Sequence, residues 1–493
     1  MDNRSTGEPR DRTDRRTFLK LTGTGALTVG LAGCIGTEDD GGNGNGNGNG
    51  NGNGNGNGNG NGNGNGNGDG NGNGNGNGNG NGNGNGNGNG NGNGGTTNGG
   101  ESPDSVLIGQ PASLTGQWDF LQPAVSQSTD LAAQEINDAG GPLGADFGIE
   151  RRDTAVEPQQ AREVVRQFIN NDGVDAISGL FSSEIVPLWD FIQEQQLPII
   201  TPWPGTTYLD TRGGDKRTDE VGDDEWLWRT VIGDTVHTSG AAEAMVDEAG
   251  IERMGVLSAT TAGEEGWTRQ FVNWYEELGG TVVEVVSAQE GQSSYQSQLN
   301  QLFDNDFDAW ALSFALEDAT TIIRNWDEGG YGGQLLMEDG LRSADLINQV
   351  GEVAEGAWIA AGSTQGPNYD QFEPTFQEAG DADLHPWGVA AYDATNVLAL
   401  AIHHAGETSP EAIQRSIGDV AREGGTTVIT FAEGKEALDN GDEINYEGAV
   451  TNCDFTEHGN VWGNVAVDRV TPDGFENEFT IEADRLQESI DDY

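Results

Sequence analysis

Cysteine is nearly absent from this sequence: two in 493 residues, Cys34 and Cys453. One lies in the N-terminal segment, so the rest of the chain has no thiol pair, which excludes a disulfide framework. Lysine occurs three times, at Lys20, Lys216 and Lys435, and Lys plus Arg total 23 against 81 Asp plus Glu, a formal net charge of −58. No basic patch exists to neutralise phosphates, which excludes nucleic acid as a partner. The five histidines show no metal-ligand spacing: His403 and His404 are adjacent rather than four apart, and His237, His385 and His458 stand alone. No zinc signature, P-loop or nucleophile elbow is present. These absences argue against an enzyme, a metal site or a cofactor.

The acidic residues run through the whole globular part instead of forming one block. A block of like charge reads as a disordered tail. Charge laid over an apolar periodic pattern reads as a folded protein with an acidic skin. Such a skin repels itself in dilute solution and is tolerated where salt screens it, the Debye length being about 3 Å at 1 M. The expected host is a halophile of the haloarchaeal kind.

The N-terminus carries address signals. Arg15 and Arg16, followed by Thr17, Phe18, Leu19 and Lys20, have the pattern of a twin-arginine export motif. Residues 21–31 form an apolar core too short to span a bilayer. Leu31, Ala32, Gly33 and Cys34 read as a lipobox cleaved before Cys34, whose thiol takes the lipid. Residues 1–33 are thus expected to be a signal peptide. Residues 43–94 alternate Asn and Gly with a single Asp at 69. Nothing apolar there offsets the entropy of ordering, so 34–101 is expected to be a lipidated cysteine on a disordered tether, with a reach of roughly 40–50 Å. The expected location is the extracellular face of the cell membrane, lipid-anchored, as a monomer.

From residue 102 short apolar runs alternate with helical patterns. Strands are predicted near 106–109, 147–153, 175–179 and 198–203, with helices over 120–139, 158–171 and 184–195. The rhythm restarts with strands at 254–258, 282–287, 309–314 and 334–337 and helices at 265–278, 295–303 and 318–328. This βαβ repetition predicts an α/β fold: two similar lobes, each a mostly parallel sheet flanked by helices, with a cleft between them. In such sheets ligands bind outside the carboxyl ends of the strands.

Several stretches together carry a family resemblance. Residues 108–116 (IGQPASLTG), 133–141 (AQEINDAGG), 172–179 (DGVDAISG) and 227–230 (LWRT) are among them, as are Ser182-Ser183 and Ile200-Thr201-Pro202. Residues 390–394 (AAYDA) and 447–450 (EGAV) continue the match. In this order and spacing the chain resembles the branched-chain amino acid type of substrate-binding lipoproteins of ABC importers, which have the type I periplasmic-binding fold. The resemblance implies three crossovers, placed near 230–234, 358–362 and 428–450. Lobe 1 is then 102–231 with 361–435, and lobe 2 is 232–360 with 436–493.

The resemblance also implies a pocket. Ser182 and Ser183 open a helix and suit a carboxylate. Trp203, Gly205 and Thr206 follow the next strand, where the family makes backbone and threonine contacts. Glu338 and Asp339 end a strand where the family has an acid holding a ligand ammonium. Trp118 and Phe120 sit in a loop whose large side chain covers the ligand. Two departures stand out: Ala262-Gly263 replaces the family's Tyr-Gly, and Leu316 falls near an expected aromatic. The family also has members for amides, urea and aromatic acids, and the twelve tryptophans suit a quaternary ammonium as well. The expected function is capture of a small polar ligand, an amino acid or similar, by hinge closure for delivery to an ABC permease. A surface sensor of amides, urea or other small molecules that signals to a transducer, or an enzyme on the same scaffold, remain the alternatives.

Overall fold

The structure, a computed structural model, describes residues 103–116, 118–210, 226–363, 365–422 and 424–490. The expected export signal, the expected lipid site at Cys34 and the expected Asn-Gly tether lie outside the described residues.

The first lobe grows from β1 (Ser105–Ala112), α1 (Gln122–Asp138), β2 (Asp146–Asp153), α2 (Pro158–Gln167), β3 (Ala176–Ser178), α3 (Ser182–Gln195), β4 (Ile199–Thr201) and β5 (Leu227–Arg229). The strands form a parallel sheet in the order β2-β1-β3-β4-β5. Period-two alternation decides what each face buries. Ala176 and Ile200 join the core on the side of α1, while their neighbours Ile177 and Ile199 join Ala161, Val164 and Leu188 on the side of α2 and α3. Helix α2 starts on Pro158 and buries Ala161, Val164 and Val165; its last turn widens over 168–172 and stops at Gly173, which takes the left-handed φ of 68° that ends helices cheaply.

The second lobe holds α4 (Asp234–Glu243), β6 (Arg253–Ala259), α5 (Ala262–Glu277), β7 (Thr281–Ala288), α6 (Gln296–Phe303), β8 (Ala309–Ser313), α7 (Leu316–Gly329), β9 (Gln334–Met337), α8 (Ala344–Val350) and β10 (Trp358–Gly362). The chain then returns to lobe 1 with α9 (Tyr369–Ala379), α10 (Pro386–Ala405), α11 (Pro410–Val420), β11 (Thr426–Val428), α12 (Phe431–Asn440) and β12 (Ile444–Tyr446). It ends in lobe 2 with β13 (Val465–Thr471), β14 (Gly474–Ile481) and α13 (Ala483–Ser489). The lobe 2 sheet runs β14-β13-β10-β9-β8-β6-β7, antiparallel only at β13 and β14. Both sheets carry apolar clusters on both faces, the condition that parallel strands require.

The last crossing differs from expectation. Residues 436–461 belong to lobe 1, not lobe 2: Ala437, Ile444, Tyr446, Ala449, Val450, Cys453, Phe455 and Val461 all join its core. The reason is Asp393, fully buried on α10. Its carboxylate accepts the backbone N–H groups of Ala449 and Val450, each at 2.9 Å, and the Tyr446 hydroxyl at 2.9 Å. That staple holds the segment on lobe 1 until the chain crosses at 462–464. The other crossings fall at 230–233 and just after β10. The three meet at Ile232: a Cβ built on Gly362 or Gly463 would come within 3.2 or 2.9 Å of its side chain. Ser363 N–H donates to the Asn464 carbonyl at 2.8 Å, tying the second crossing to the third.

Candidate ligand cleft

The cleft of about 640 Å³, solvent-open space included, lies between the lobes at the carboxyl ends of their strands. Lobe 1 supplies Trp118 from the loop after β1, Phe181, Ser182 and Ser183 at the start of α3, and Trp203 and Gly205 after β4. Trp387 completes that wall from the first turn of α10, where Pro386 sets the helix start. Lobe 2 supplies Asp234 and His237 from α4, Gly263, Glu264 and Trp267 from α5, and Glu338, Asp339 and Gly340 after β9.

Seven of the sequence-predicted residues line this cleft: Trp118, Ser182, Ser183, Trp203, Gly205, Glu338 and Asp339. Three do not line it. Phe120 stacks on Trp118 with ring centroids 6.0 Å apart and packs against the cores of both lobes. Thr206 is buried; its N–H donates to the Ser182 hydroxyl at 3.3 Å and its carbonyl accepts from Arg229 at 3.1 Å. Ala262 opens α5, but its neighbours Gly263 and Glu264 face the cleft instead.

The lobe 1 wall is aromatic. Trp118 lies 5.6 Å from Trp387 and 6.1 Å from Phe181, and Phe181 lies 5.1 Å from Trp203, centroid to centroid. Ser182 and Ser183 are the first two residues of α3, so their N–H groups have no intrahelical partner. Burial pushes Glu184 in the same turn up to about 7, although it accepts the Phe181 N–H at 2.8 Å.

The lobe 2 wall is acidic. Asp234, Glu264 and Glu338 are all buried. Burial pushes Glu264 up to about 7, and Glu290 adds to it. Glu338 stands well above the usual carboxylate range, first through burial and then through Glu264 and Asp339, against one bond from the Ser313 hydroxyl at 3.0 Å. Asp234 is raised by burial and by Asp339, with Arg229 pulling the other way. Arg229 itself is directed elsewhere, to Asp210 and to the carbonyls of Gly205 and Thr206. Among the described residues no three His, Cys, Asp or Glu are grouped as one metal ion requires; the acids are spread around a cavity.

His237 is held within the lobe 2 wall. Its Nε2 lies 2.9 Å from the Ala360 carbonyl, and its Nδ1 lies 3.3 Å from the indole nitrogen of Trp267. A carbonyl only accepts and an indole N–H only donates, so these two partners match a proton on Nε2 and a lone pair on Nδ1.

Several contacts join the lobes, among them the Thr235 hydroxyl on α4 donating to Asp210. Asp234 N–H donates to the Gly205 carbonyl at 2.6 Å. A Cβ on Gly205 would fall on the Asp234 carboxylate, so only glycine permits this approach. The Trp387 indole N–H donates to Asp339 at 3.1 Å. Trp118 rests on Gly340, where a Cβ would come within 2.8 Å of its ring.

Sequence reasoning passed over Trp387, Phe181, Asp234, His237, Glu264 and Trp267. Asp234 and Glu264 carried a usable signal, each being acidic in the first turn of a helix. Trp387 carried only the preceding proline.

A model of the periplasmic binding protein family matches residues 105–459. The chain is 23% identical over 325 residues to the Leu/Ile/Val-binding protein homolog 1 of Brucella suis, spanning 65% of this chain and 84% of that one. It is 23% identical over 350 residues to a leucine-, isoleucine-, valine-, threonine- and alanine-binding protein of Pseudomonas aeruginosa, spanning 70% and 90%. The crystal structure of a leucine binding protein from Thermotoga maritima has the same fold, with TM-score 0.64, 22% identity, and coverage of 77% of this chain and 99% of that one.

Proposed function

The chain belongs to the periplasmic binding protein family, and from that premise we propose that its cleft captures a small ligand carrying a cationic nitrogen and closes on it about the hinge at Ile232. The observation that carries this reading is the pairing of an aromatic wall on one lobe with an acidic wall on the other, at the strand ends where α/β sheets bind ligands. Contacts in both lobes are what shift an open–closed equilibrium, because only the closed form makes all of them. An amino acid fits if its carboxylate takes the N-terminus of α3 at Ser182 and Ser183 and its ammonium takes the acids of lobe 2. The closed form is then offered to an ABC permease.

The delivery device is part of the same proposal. The twin-arginine pattern, the lipobox at Cys34 and the Asn-Gly run support a monomeric receptor exported folded and tethered by lipid to the outer face of the membrane. The acidic excess of the chain supports a halophilic, haloarchaeal host. Replacing Cys34 by Ser should release the protein into the medium; continued membrane retention would refute the lipid anchor.

The ligand test is a thermal-shift panel in concentrated KCl covering amino acids, short amides, urea, betaine and aromatic acids. A bound ligand raises the melting temperature by mass action. Shifts confined to compounds with a cationic nitrogen support the reading. Shifts confined to uncharged or purely anionic compounds refute it.

A further inference from the structure

The two walls of the cleft are not balanced in charge. Lobe 2 brings four carboxylates, those of Asp234, Glu264, Glu338 and Asp339, and among the described lining residues there is no lysine or arginine. Arg229 lies behind the wall and is engaged with Asp210. The positive end of α3 amounts to about half a charge, and the Ser182 hydroxyl there already accepts the Thr206 N–H. A zwitterion would cancel its own charge and give the buried acids no reason to lose their protons, whereas a net cation compensates their ionised form. A buried carboxylate is costly unless it is paired or hydrogen-bonded.

Glu338 and Asp339 are also unlike each other. Glu338 is 7% exposed; one oxygen accepts from Ser313, and the other, Oε1, is buried without a hydrogen-bond partner on the cleft wall. Asp339 already has work. Its Oδ2 accepts the Trp387 indole N–H from the opposite lobe, and its Oδ1 lies 4.0 Å from His237. The family's ammonium-holding acid was expected at this pair of positions, and the geometry separates them.

We propose that the cleft selects a small organic cation that has no carboxylate to balance it, that Glu338, with Glu264 and Asp234 beside it, holds the cationic nitrogen, and that Asp339 is a latch to Trp387. This deepens the receptor reading above and rests on it. The ring faces of Trp118, Phe181 and Trp203 supply the remainder of the seat, since an aromatic face attracts a cation through its quadrupole.

The test uses the intact chain in concentrated KCl and isothermal titration with two sets of probes. One set shares a branched skeleton: 3-methylbutylamine (cation), L-leucine (zwitterion), 4-methylpentanoate (anion) and 4-methylpentanamide (neutral). The other compares choline with glycine betaine. The cation of at least one set should bind at least about tenfold more tightly than its zwitterion, a difference of about 1.4 kcal/mol. Zwitterions that bind as tightly as the cations, or binding by the anion or the amide alone, would overturn the proposal while leaving the receptor reading in place. Silence across both sets also overturns it; a hit in the wider thermal-shift panel then keeps the receptor, and silence there removes both.

The residue assignment is tested with the cation that binds. Glu338→Gln should weaken it at least about 50-fold, and Asp339→Asn, which still accepts the indole N–H, less than about fivefold. The reverse order would make Asp339 the seat and end the assignment. If Glu338→Gln fails to fold by circular dichroism, Glu264→Gln replaces it, with a loss of at least about tenfold expected and an unchanged affinity counting against the proposal.

Discussion

The two lobes share a scaffold and present opposite chemistry. Lobe 1 meets the cleft with the rings of Trp118, Phe181, Trp203 and Trp387; lobe 2 meets it with the acids of Asp234, Glu264, Glu338 and Asp339. Neither half is a good site alone. Rings in water hold a cation weakly, by about 0.5–1 kcal/mol, and more once water is excluded. Acids facing bulk solvent and concentrated salt are screened. Bringing the walls together around a cation removes the screen from the acids and excludes water from the rings that face it. The difference between the lobes is therefore itself a reason for closure to accompany binding.

The sharpest way to break the comparison is to stop the walls from meeting. Gly205→Ala places a methyl group on the Asp234 carboxylate. Affinity for whichever ligand the thermal-shift panel identifies should fall about 100-fold or more, by titration calorimetry, with the unliganded melting temperature nearly unchanged. Removing a ring attacks lobe 1 alone. Trp118→Ala should cost about 2 kcal/mol, or about 30-fold, as loss of a buried aromatic anchor does. An unchanged affinity would show the ring wall to be packing only.

The acidic wall is addressed by pH. Glu264 is raised to about 7 by burial and by Glu290 on the loop after β7, and Glu338 after β9 and Asp234 on α4 are raised as well. An acid with a raised value keeps its proton to higher pH in the folded state. The stability it confers is complete below about 4.5 and is lost as pH rises to about 7. A cation favours the ionised form and expels that proton. Affinity for a cation should thus rise with pH by up to about tenfold per unit while one proton is released, most clearly below about pH 7 and levelling off above it. A flat profile in that window would exclude coupling to Glu264. The smallest effect is expected from Trp387→Phe. It keeps a ring but deletes the N–H that reaches Asp339, so affinity should fall only about three- to tenfold, through faster ligand release in stopped-flow measurements.

Much of this was legible from local patterns. Strand-then-helix junctions mark themselves by apolar runs, small residues and polar helix starts; the family resemblance then put Ser182, Trp203, Glu338 and Asp339 in a pocket at those junctions. Trp387 could not be found that way. It enters the cleft from the start of α10, more than 180 residues after the lobe 1 strand loops it joins, and α10 is buried from Pro386 through Ile402, so no apolar stripe shows which way it faces. The misplaced segment 436–461 has the same cause. A helix and a short strand look alike whichever lobe they join, and the decision rests with Asp393, whose partners Tyr446, Ala449 and Val450 lie more than fifty residues away. Phe120 and Thr206 were one layer from the cleft and Ala262 is exposed beside it, differences that a loop's sequence does not encode.

The threefold crossing of the chain has a consequence for the order in which the molecule can be made. Lobe 1 is built from β1–β5 with α1–α3 and from the stretch that ends near 461; lobe 2 is built from 234–362 and from the last strands, β13 and β14. A chain still being synthesised at residue 360 has a lobe 1 sheet without α10, its most buried helix, and a lobe 2 sheet without its final two strands. Apolar faces on both sheets then stand bare until translation is almost finished. Assembly is an event of the whole chain rather than of one lobe after the other, and a chaperone that shields those faces late in synthesis would act on both lobes at once.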